Sequence, residues 1–299
     1  MRSRKSGFWG LMKKLILFCF EGEKIRMNKS IKSLIEMALL EDIGSRDITT
    51  DAIIDKRKPA SAIILVKEDG LLAGTSLVKG VFDVLDKKIK VSFKVKDGNK
   101  VSDGEVIAEI TGPAHSILKG ERLALNFLQR LSGIATLTSK FVVAVTGTNV
   151  KILDTRKTTP LWRQAEKEAV LAGGGQNHRF GLYDAVLIKD NHIKFAGGIE
   201  PAIKLLRKKA KKIEVEAQNI NEVKTAIKLG VDRILLDNMD KRTLMEAVKL
   251  CKNAGIETEA SGGVNLKNIK FIAKTGVDYI SVGALTHSAK ALDISLKFV

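Results

Sequence analysis

Residues 212–238 read "KIEVEAQNINEVKTAIKLGVDRILLDN" and contain one complete strand, helix and strand unit. A short apolar run, "KIEVEA", precedes the stretch "NEVKTAIKLGV", whose apolar residues recur at helical spacing, and the apolar run "RILLD" follows. Two strands joined through a helix of this length lie parallel in one sheet. The stretch therefore predicts a βα repeat of an α/β fold.

The same pattern fills the second half of the chain. Six short apolar runs follow residue 150: "KILDT" (151–155), "AVLIKD" (185–190), "KIEVEA" (212–217), "RILLD" (233–237), "ETEASG" (257–262) and "YISVGA" (279–284). Helix-patterned stretches separate the last four, giving repeats of roughly 20 to 25 residues, which suit a parallel sheet. We interpret this half as a β/α barrel. A doubly wound sheet is the alternative, but it normally carries a G-x-G-x-x-G turn after its first strand, which is absent here.

The region before residue 114 has the composition of a small sheet. Three strand-like runs, "SAIILVKEDG" (61–70), "KIKVSFKVKDG" (88–98) and "VSDGEVIAEITGP" (101–113), each end at a Gly-containing turn and predict hairpins. Hairpin domains that carry biotin or lipoate are an alternative, but no lysine occupies the tip of a tight turn. The stretch 120–145, "GERLALNFLQRLSGIATLTSKFVVAV", predicts a helix that joins two domains.

Composition limits the classes of partner. Of the 299 residues, 51 are Lys or Arg and 34 are Asp or Glu, so the net charge of +17 favours nucleic acid, membrane surfaces or small polyanions. Much of this charge lies in helix-like surface runs such as "LLRKKAKK" (205–212). Aromatic residues, at 5%, are not interleaved with basic ones as base stacking requires. We therefore expect no nucleic acid and no membrane among the partners.

The first 26 residues form an extension with a short apolar patch, "LILFCF" (15–20), that is too short to span a bilayer. Lys13 and Lys14 interrupt the apolar stretch, and no small-residue cleavage site follows. We expect this extension to be disordered or to result from a misassigned start, with Met27 as the working start before an amphipathic helix. Two cysteines, Cys19 and Cys251, form no disulfide framework, which favours a cytoplasmic location.

Nearly every apolar run of the second half ends in a polar or charged residue. In a βα barrel, these carboxyl ends meet at one mouth, where active sites lie. The mouth is predicted to hold the cations Arg156, Lys157, His178, Arg179 and Lys189. Arginine binds carboxylates and phosphates through paired hydrogen bonds, and lysine acts as a compact point charge. The set therefore predicts a ligand with several carboxylates or phosphates.

Two acids and two glycine turns complete the predicted mouth. Glu216 and Asp237 end successive runs and could hold Mg²⁺ directly or through water, although salt bridges to the cations are an alternative. "ASGGV" (260–264) and "SVGAL" (281–285) end the last two runs, where barrels usually bind phosphate. The predicted phosphate ligands are Ser261, Gly262, Gly263, Gly283 and His287. These features suggest a phosphorylated sugar diphosphate and a small aromatic acid as ligands.

From about Met27 to its end, the chain resembles the quinolinate phosphoribosyltransferase family, the nicotinate-nucleotide pyrophosphorylases of NAD biosynthesis. The motifs are "GERLALNFLQRLSGIAT" (120–136), "LDTRKTTP" (153–160), "GGGQNHRFGLYDAVLIKDNH" (173–192), "VEAQN" (215–219), "ILLDN" (234–238), "ASGGV" and "YISVGALTHS" (279–288). The resemblance implies a pentosyl transfer: quinolinate and phosphoribosyl pyrophosphate, with Mg²⁺ as cofactor, give nicotinate mononucleotide, pyrophosphate and CO₂.

The resemblance also implies residue roles and an assembly. Quinolinate would be bound by Arg122, Arg156, His178, Arg179 and Lys189. Phosphoribosyl pyrophosphate would be bound by Lys157, Glu216, Asp237, Ser261, Gly262, Gly263, Gly283 and His287. The catalytic set would be Lys157, Lys189, Glu216 and Asp237, with the two acids facing the metal. Arg122 would enter the site of the neighbouring subunit in a homodimer, and further assembly into a hexamer stays open.

The implied fold is an N-terminal α/β sandwich (27–121) packed against an incomplete, seven-stranded-type β/α barrel (122–287), with a final helix (288–299) returning to the sandwich. Two alternatives remain open. A relative linked to molybdenum transport shares the "TRKTTP" string, but "LIKDNH" with Lys189 matches the quinolinate enzyme better. A basic RNA-binding or scaffolding protein would explain the charge, and its binding would fall steeply with ionic strength.

Overall fold

A computed structural model describes residues 23–299 of the chain. The expectation about the extension at 1–26 therefore falls almost wholly outside the described residues. The predicted amphipathic helix is confirmed as α1 (Glu23–Ile43), and Ile35 and Leu39, one turn apart, are buried on its inner face. Among the described helices, none combines the length and apolarity needed to cross a bilayer.

The elements alternate between short strands and helices after residue 150. The other helices are α2 (Ile48–Ile53), α3 (Thr75–Leu85), α4 (Ala114–Ala144), α5 (Arg163–Ala172), α6 (Asp190–Ala196), α7 (Ile199–Arg207), α8 (Ile220–Lys228), α9 (Lys241–Asn253), α10 (Ile269–Lys274) and α11 (Ala284–His287). The strands are β1 (Pro59–Val66), β2 (Gly70–Leu71), β3 (Lys90–Phe93), β4 (Lys100–Val101), β5 (Val106–Pro113), β6 (Lys151–Leu153), β7 (Leu187–Ile188), β8 (Glu214–Ala217), β9 (Arg233–Asp237), β10 (Glu257–Ser261), β11 (Tyr279–Ser281) and β12 (Ile294–Phe298). All six predicted runs after residue 150 are confirmed as strands.

The N-terminal unit is an antiparallel sheet with the strand order β12, β1, β5, β3, covered by helices α1, α3 and α4. The three predicted runs form strands of one antiparallel sheet, but they do not pair in chain order, because β1 and β3 both pair with β5. Strands β2 and β4 pair with each other as a separate ribbon. The Asp-Gly turn at 97–98 has another use, since the Asp97 carboxylate accepts from the backbone N–H groups of Gly74 and Thr75 at the start of α3.

The last residues of the chain return to the N-terminal sheet as a strand. The predicted final helix (288–299) was therefore wrong. Strand β12 pairs antiparallel with β1, with Ile294 opposite Val66 and Phe298 opposite Ala62. Ile294 and Leu296 are buried, whereas Ser295 between them is only partly buried and Lys297 is exposed, and this period of two is typical of a strand with one buried face.

The second unit is a parallel sheet with the strand order β6, β11, β10, β9, β8, β7 and with helices around it. A single parallel bridge between Leu153 and Gln176 adds a seventh strand position beside β6. Within residues 23–299, no ladder joins this position to β7, so the barrel is incomplete, as predicted. The 31-residue helix α4 runs from one unit into the other and packs against both.

Candidate active site

The strand register gathers the predicted residues at one edge of the parallel sheet. The paired positions are Leu153 with Ser281, Asp237 with Ser261, and Ile188 with Val215. Apart from Arg122, which lies on α4, each predicted polar residue lies at or shortly after one of these carboxyl ends or the bridge at Gln176. The sheet therefore brings the predicted cations, acids and glycine turns to one mouth, which is where βα barrels carry their sites.

Two arginines form the most positive part of this mouth. The Nε atom of Arg156 is buried and has no hydrogen-bond partner among the described residues. Burial lowers the pKa of the Arg179 guanidinium, and the positive charge of Arg156 lowers it further. Two guanidinium groups that repel each other, one with an unsatisfied buried N–H, are stabilised by an anion between them.

Asp154 is buried below the mouth, unlike its neighbours Arg156 and Lys157. Its side chain is fully buried and forms an ion pair with Lys167, which is itself only 2% exposed. Burial raises the pKa of Asp154 and lowers that of Lys167. The Asp154 carboxylate also accepts from the backbone N–H of His178, at 2.8 Å. The pair therefore fixes the backbone of the loop that carries His178 and Arg179.

The His178 side chain points toward the interior of the barrel. Its Nε2 atom lies 3.5 Å from Glu214 Oε2 and 3.4 Å from Glu259 Oε1. Its Nδ1 atom accepts from the backbone N–H of Arg179 at 2.7 Å. A direct contact of His178 with quinolinate stays a prediction, because the ring is largely buried and faces two carboxylates.

His178, Glu214 and Glu259 lie close enough together to suggest a metal site. The tautomer argues against one. Because Nδ1 accepts a hydrogen bond in the neutral ring, the proton must be on Nε2, and the protonated ring carries a proton there as well. In either form Nε2 carries a proton that faces the two carboxylates, so it offers no lone pair to an ion.

The same cluster makes the stability of the protein depend on pH. Burial opposes charge on His178, but the facing carboxylates of Glu214 and Glu259 outweigh burial and raise the pKa of His178 to about 9. Protonation at Nδ1 costs the contact with the Arg179 N–H, which moderates this effect. Because the pKa exceeds that of the unfolded chain, the stabilisation is complete below about pH 6.5 and is lost as pH rises through 9.

We therefore expect the free energy of unfolding to fall by up to roughly 3 kcal/mol between pH 6.5 and 9.5. Denaturant titrations of the wild type and of His178→Gln at several pH values measure the difference. The variant should lose this slope, and the matched change at the exposed His287 should retain it. Equal slopes in wild type and His178→Gln would contradict the account.

The charges of Lys189, Glu216 and Asp237, at the ends of neighbouring strands, lie close enough to affect one another. Glu216 is only 8% exposed, and burial raises its pKa, with a further rise from the charge of Asp237 and an opposing effect of Lys189. The Asn238 amide donates to Asp237 Oδ2 at 2.7 Å and holds that carboxylate at the strand end. Two neighbouring carboxylates whose repulsion is only partly offset by one lysine provide a site for a cation.

The first glycine turn leaves its backbone N–H groups free. Gly262 has φ +93°, and a Cβ atom there would lie 2.1 Å from Asn238 Oδ1, so only glycine fits. Gly263 has φ +59° and faces open space. The N–H groups of both donate to no acceptor in the described chain. The turn can therefore receive an anion such as phosphate through its backbone.

The second glycine turn adjoins a predicted cation. A Cβ atom at Gly283 would lie 3.0 Å from Lys157 Cδ and 3.2 Å from His287 Nε2. The Thr286 hydroxyl donates to the Lys157 carbonyl at 2.7 Å and ties the two segments together. Lys157, Gly283 and His287 are therefore close neighbours, as a phosphate site at the last strands requires.

Arg122 lies on α4, and its side chain is exposed. Within the described residues it takes part in no ion pair, and it lies on a helix rather than at a strand end of the mouth. Sequence reasoning also missed the buried charges Glu166, Lys167, Glu214 and Glu259. Glu214 and Glu259 gave a signal, because each interrupts an apolar run that becomes a buried strand.

Comparisons with known proteins agree with the predicted family. The family model described as the N-terminal domain of quinolinate phosphoribosyl transferase matches residues 47–132, and the model of its C-terminal domain matches residues 134–297. A probable nicotinate-nucleotide pyrophosphorylase [carboxylating] of Bacillus subtilis is 46% identical over 269 residues, 89% of this chain and 92% of the relative. A chloroplastic counterpart from Arabidopsis thaliana is 44% identical, over 89% of this chain and 82% of the relative.

Solved structures give the same result. The nicotinate-nucleotide pyrophosphorylase from Francisella tularensis has a TM-score of 0.86 and 41% identity, covering 91% of this chain and 97% of that one. NadC from Streptococcus pyogenes has a TM-score of 0.85 and 40% identity, covering 90% and 97%. With both family models matched across one fold, the chain belongs to the quinolinate phosphoribosyltransferase family.

Proposed function

We propose that this protein transfers phosphoribosyl from phosphoribosyl pyrophosphate to quinolinate, with decarboxylation, and yields nicotinate mononucleotide, pyrophosphate and CO₂. The observation that carries the proposal is the arrangement of the mouth. The unsatisfied Arg156 beside Arg179 suits carboxylates, and the open turn at Gly262 and Gly263 suits a phosphate. The names of the relatives, which specify this enzyme, support the same reaction.

In the proposed complex, Arg156 and Arg179 bind the two adjacent carboxylates of quinolinate, with Lys189 at the end of the neighbouring strand β7. Guanidinium groups match carboxylates through paired hydrogen bonds, and burial strengthens these bonds. The half-buried position of both arginines fixes the pyridine ring in one orientation. The ring nitrogen can then meet the anomeric carbon of the sugar with little loss of entropy at the reacting step.

The phosphoribosyl group lies, in this proposal, between the two glycine turns and the acids. Backbone N–H groups at Gly262, Gly263 and Gly283, with Lys157 and His287, receive the 5′-phosphate and the pyrophosphate. Breaking the bond between the anomeric carbon and pyrophosphate leaves positive charge on the ribose. The carboxylates of Glu216 and Asp237 stabilise that charge in the transition state.

We propose Mg²⁺ as the cofactor. The pair Glu216 and Asp237 fits it, because burial and mutual repulsion raise the pKa of Glu216, and a divalent ion relieves that repulsion. Oxygen ligands from one or two carboxylates, completed by substrate phosphates, are the usual magnesium environment. When bound, the ion neutralises charge on the pyrophosphate as it leaves.

An assay of nicotinate mononucleotide tests the proposed reaction. Purified protein with quinolinate, phosphoribosyl pyrophosphate and Mg²⁺ should form the nucleotide. Chelation by EDTA should abolish its formation, and nicotinate in place of quinolinate should give no comparable rate, since it offers one carboxylate to two arginines. Absence of product from folded protein, or equal rates with nicotinate, would refute the proposal and favour the transport-linked relative.

We also propose a homodimer in which Arg122 completes the partner's site. Large apolar side chains are exposed on the segments around the mouth, where a soluble monomer would rarely keep them: Leu161 (67%), Leu182 (71%), Tyr183 (81%) and Phe195 (88%). Covering them with a second copy buries apolar surface near the arginines. Measurement of the mass of the assembly in solution tests whether dimers assemble further into a hexamer.

Subunit mixing tests this assembly. Homodimers of Arg122→Ala and of Asp237→Asn should each be nearly inactive. After subunit exchange, mixed dimers contain one intact site, so about a quarter of wild-type activity should return at random mixing. Exchange of Glu216→Gln with Asp237→Asn is the matched control, because both changes lie in the site of their own chain and should restore nothing. No recovery in the first mixture would contradict the shared site.

A cytoplasmic location is the accompanying proposal. Among the described residues, the thiol of Cys251 is free and buried, and burial raises its pKa to about 11, which is compatible with a reducing compartment. Plant relatives carry chloroplastic or mitochondrial designations. Fractionation of the source cells, followed by the nucleotide assay on each fraction, tests the location.

A further inference from the structure

Helix α5 presents three charged side chains to the segments of the mouth. Arg163 lies one turn before the adjacent residues Glu166 and Lys167, which are 0% and 2% exposed. Burying two charged groups costs free energy that only well-formed ion pairs offset. Specific ion pairs and hydrogen bonds therefore hold the buried charges of Glu166 and Lys167 in place.

Lys167 holds the loop that carries the quinolinate-side cations. Its ammonium group pairs with Asp154 and donates to the carbonyl of His178 at 2.9 Å. Asp154 in turn accepts from the backbone N–H of His178. With its amide oriented to satisfy its neighbours, Asn177 donates to Asp154 Oδ2 at 2.7 Å. The backbone N–H and the carbonyl of His178, the residue before Arg179, are thus both bonded to one buried ion pair.

Glu166 holds the other side of the mouth. Its carboxylate accepts from the backbone N–H and the hydroxyl of Thr159, at 3.1 and 2.8 Å, just beyond Lys157. It also pairs with Arg130 of α4 at 3.0 Å. Arg130 donates to the carbonyls of Thr286 and Ala289, which flank His287. The network therefore joins the Lys157 segment to the second glycine turn.

One further bond closes this network. The buried Thr286 hydroxyl donates to the Lys157 carbonyl. Arg163, the third member of the helix face, donates to Thr158 Oγ1 and to the Phe180 carbonyl, both at 3.0 Å, and so touches both segments. The adjacent residues Glu166 and Lys167 thus reach opposite halves of the mouth through different hydrogen-bond partners, and Arg163 contacts both halves.

We propose that α5 is the positioning element of the active site, with Lys167 setting the quinolinate half and Glu166, through Thr159, Arg130 and Thr286, setting the phosphoribosyl half. The inference rests on the proposed function for the identity of the two ligands. Neither Lys167 nor Glu166 touches substrate. Each acts through backbone it fixes, and displacement of a binding group by about 1 Å costs up to a hundredfold in rate.

Separate binding measurements for the two substrates test the proposal. Calorimetry on the intact dimer gives the Kd of quinolinate alone and of phosphoribosyl pyrophosphate with Mg²⁺ alone. The double change Asp154→Asn with Lys167→Met removes both buried charges together, so no unpaired charge is left to unfold the protein. It should weaken quinolinate binding about tenfold and leave phosphoribosyl pyrophosphate within twofold.

Thr286→Val and Glu166→Gln should show the reverse pattern, weakening phosphoribosyl pyrophosphate about tenfold and quinolinate less than twofold. Thr258→Val is the matched control, since Thr258 is equally buried and its hydroxyl bonds to Asp278 at 2.8 Å at the opposite end of the sheet. Glu168→Gln, on the exposed face of α5, is the control for Glu166. Both controls should bind both ligands as the wild type does.

Equal weakening of both ligands in every variant, or lowered thermal stability with unchanged affinities, would overturn the proposal and leave these residues a structural role only. The result with the wild type distinguishes failure of the positioning inference from failure of the proposed function. If it forms nicotinate mononucleotide while the variants show no ligand-specific pattern, the positioning inference alone fails. If it neither binds nor converts the substrates, the proposed function fails, and the inference falls with it.

Discussion

Replacing Arg156 by alanine is expected to lower kcat/KM for quinolinate roughly a thousandfold. The paired hydrogen bonds from this guanidinium to a carboxylate are charge-assisted and contribute about 2 kcal/mol each, and both are lost. The thermal midpoint should stay unchanged or rise, because the buried Nε atom of Arg156 has no partner in the described chain and stabilises nothing there. Steady-state rates and thermal melts of the same preparation measure both effects.

Arg57→Ala is the matched control, since it removes an exposed arginine from the N-terminal unit. It should change neither the rate nor the melt. If Arg156→Ala keeps the wild-type affinity for quinolinate, the arginine pair is not the carboxylate site. If it instead melts well below the wild type, Arg156 stabilises the fold and its proposed role must be abandoned.

Replacing Asp237 by asparagine is expected to lower kcat about a hundredfold while the KM for quinolinate changes little. A carboxylate that faces developing positive charge contributes mainly in the transition state, and the loss of one such group typically costs two to three orders of magnitude. Asparagine keeps the size of the side chain and can still bond with Asn238. The pKa of Glu216 should also fall toward its ordinary value, because its repulsive neighbour is gone.

Asp232→Asn gives a control on the same chain segment. Asp232 immediately precedes β9, at the end opposite Asp237, and its carboxylate accepts from the Ile213 N–H at 2.7 Å. This variant should keep wild-type kcat. A wild-type kcat in Asp237→Asn, or an equal loss in Asp232→Asn, would show that the charge of Asp237 is not used in the chemical step.

Local patterns were sufficient to predict the second unit of the fold. Each apolar run after residue 150 is a buried parallel strand, and the spacing of the helices leaves a single economical topology. The first unit was harder, because strand pairing there joins distant segments: β12 lies beside β1, more than 200 residues away. A short segment such as "DISLKF" carries too few residues for its period to be decisive without its partner strand.

The site could be predicted only in part, because local sequence patterns locate strand ends but not tertiary contacts. Residues at strand ends, such as Lys157, Glu216 and Asp237, can be identified once the strands are identified. Residues that act through tertiary contacts cannot be identified in this way. Nothing in the sequence of α5 shows that Glu166 turns toward Thr159 while its neighbour Lys167 reaches Asp154. The inward orientation of His178 likewise follows from two glutamates on other strands.

The most direct test of the central claim follows the carboxylate that the reaction should release. Quinolinate labelled in its 2-carboxylate is incubated with wild-type protein, phosphoribosyl pyrophosphate and Mg²⁺, and labelled CO₂, pyrophosphate and nicotinate mononucleotide are quantified together. The account predicts equal amounts of all three and no CO₂ without phosphoribosyl pyrophosphate. Nucleotide that retains the label, or CO₂ released without nucleotide, would contradict it.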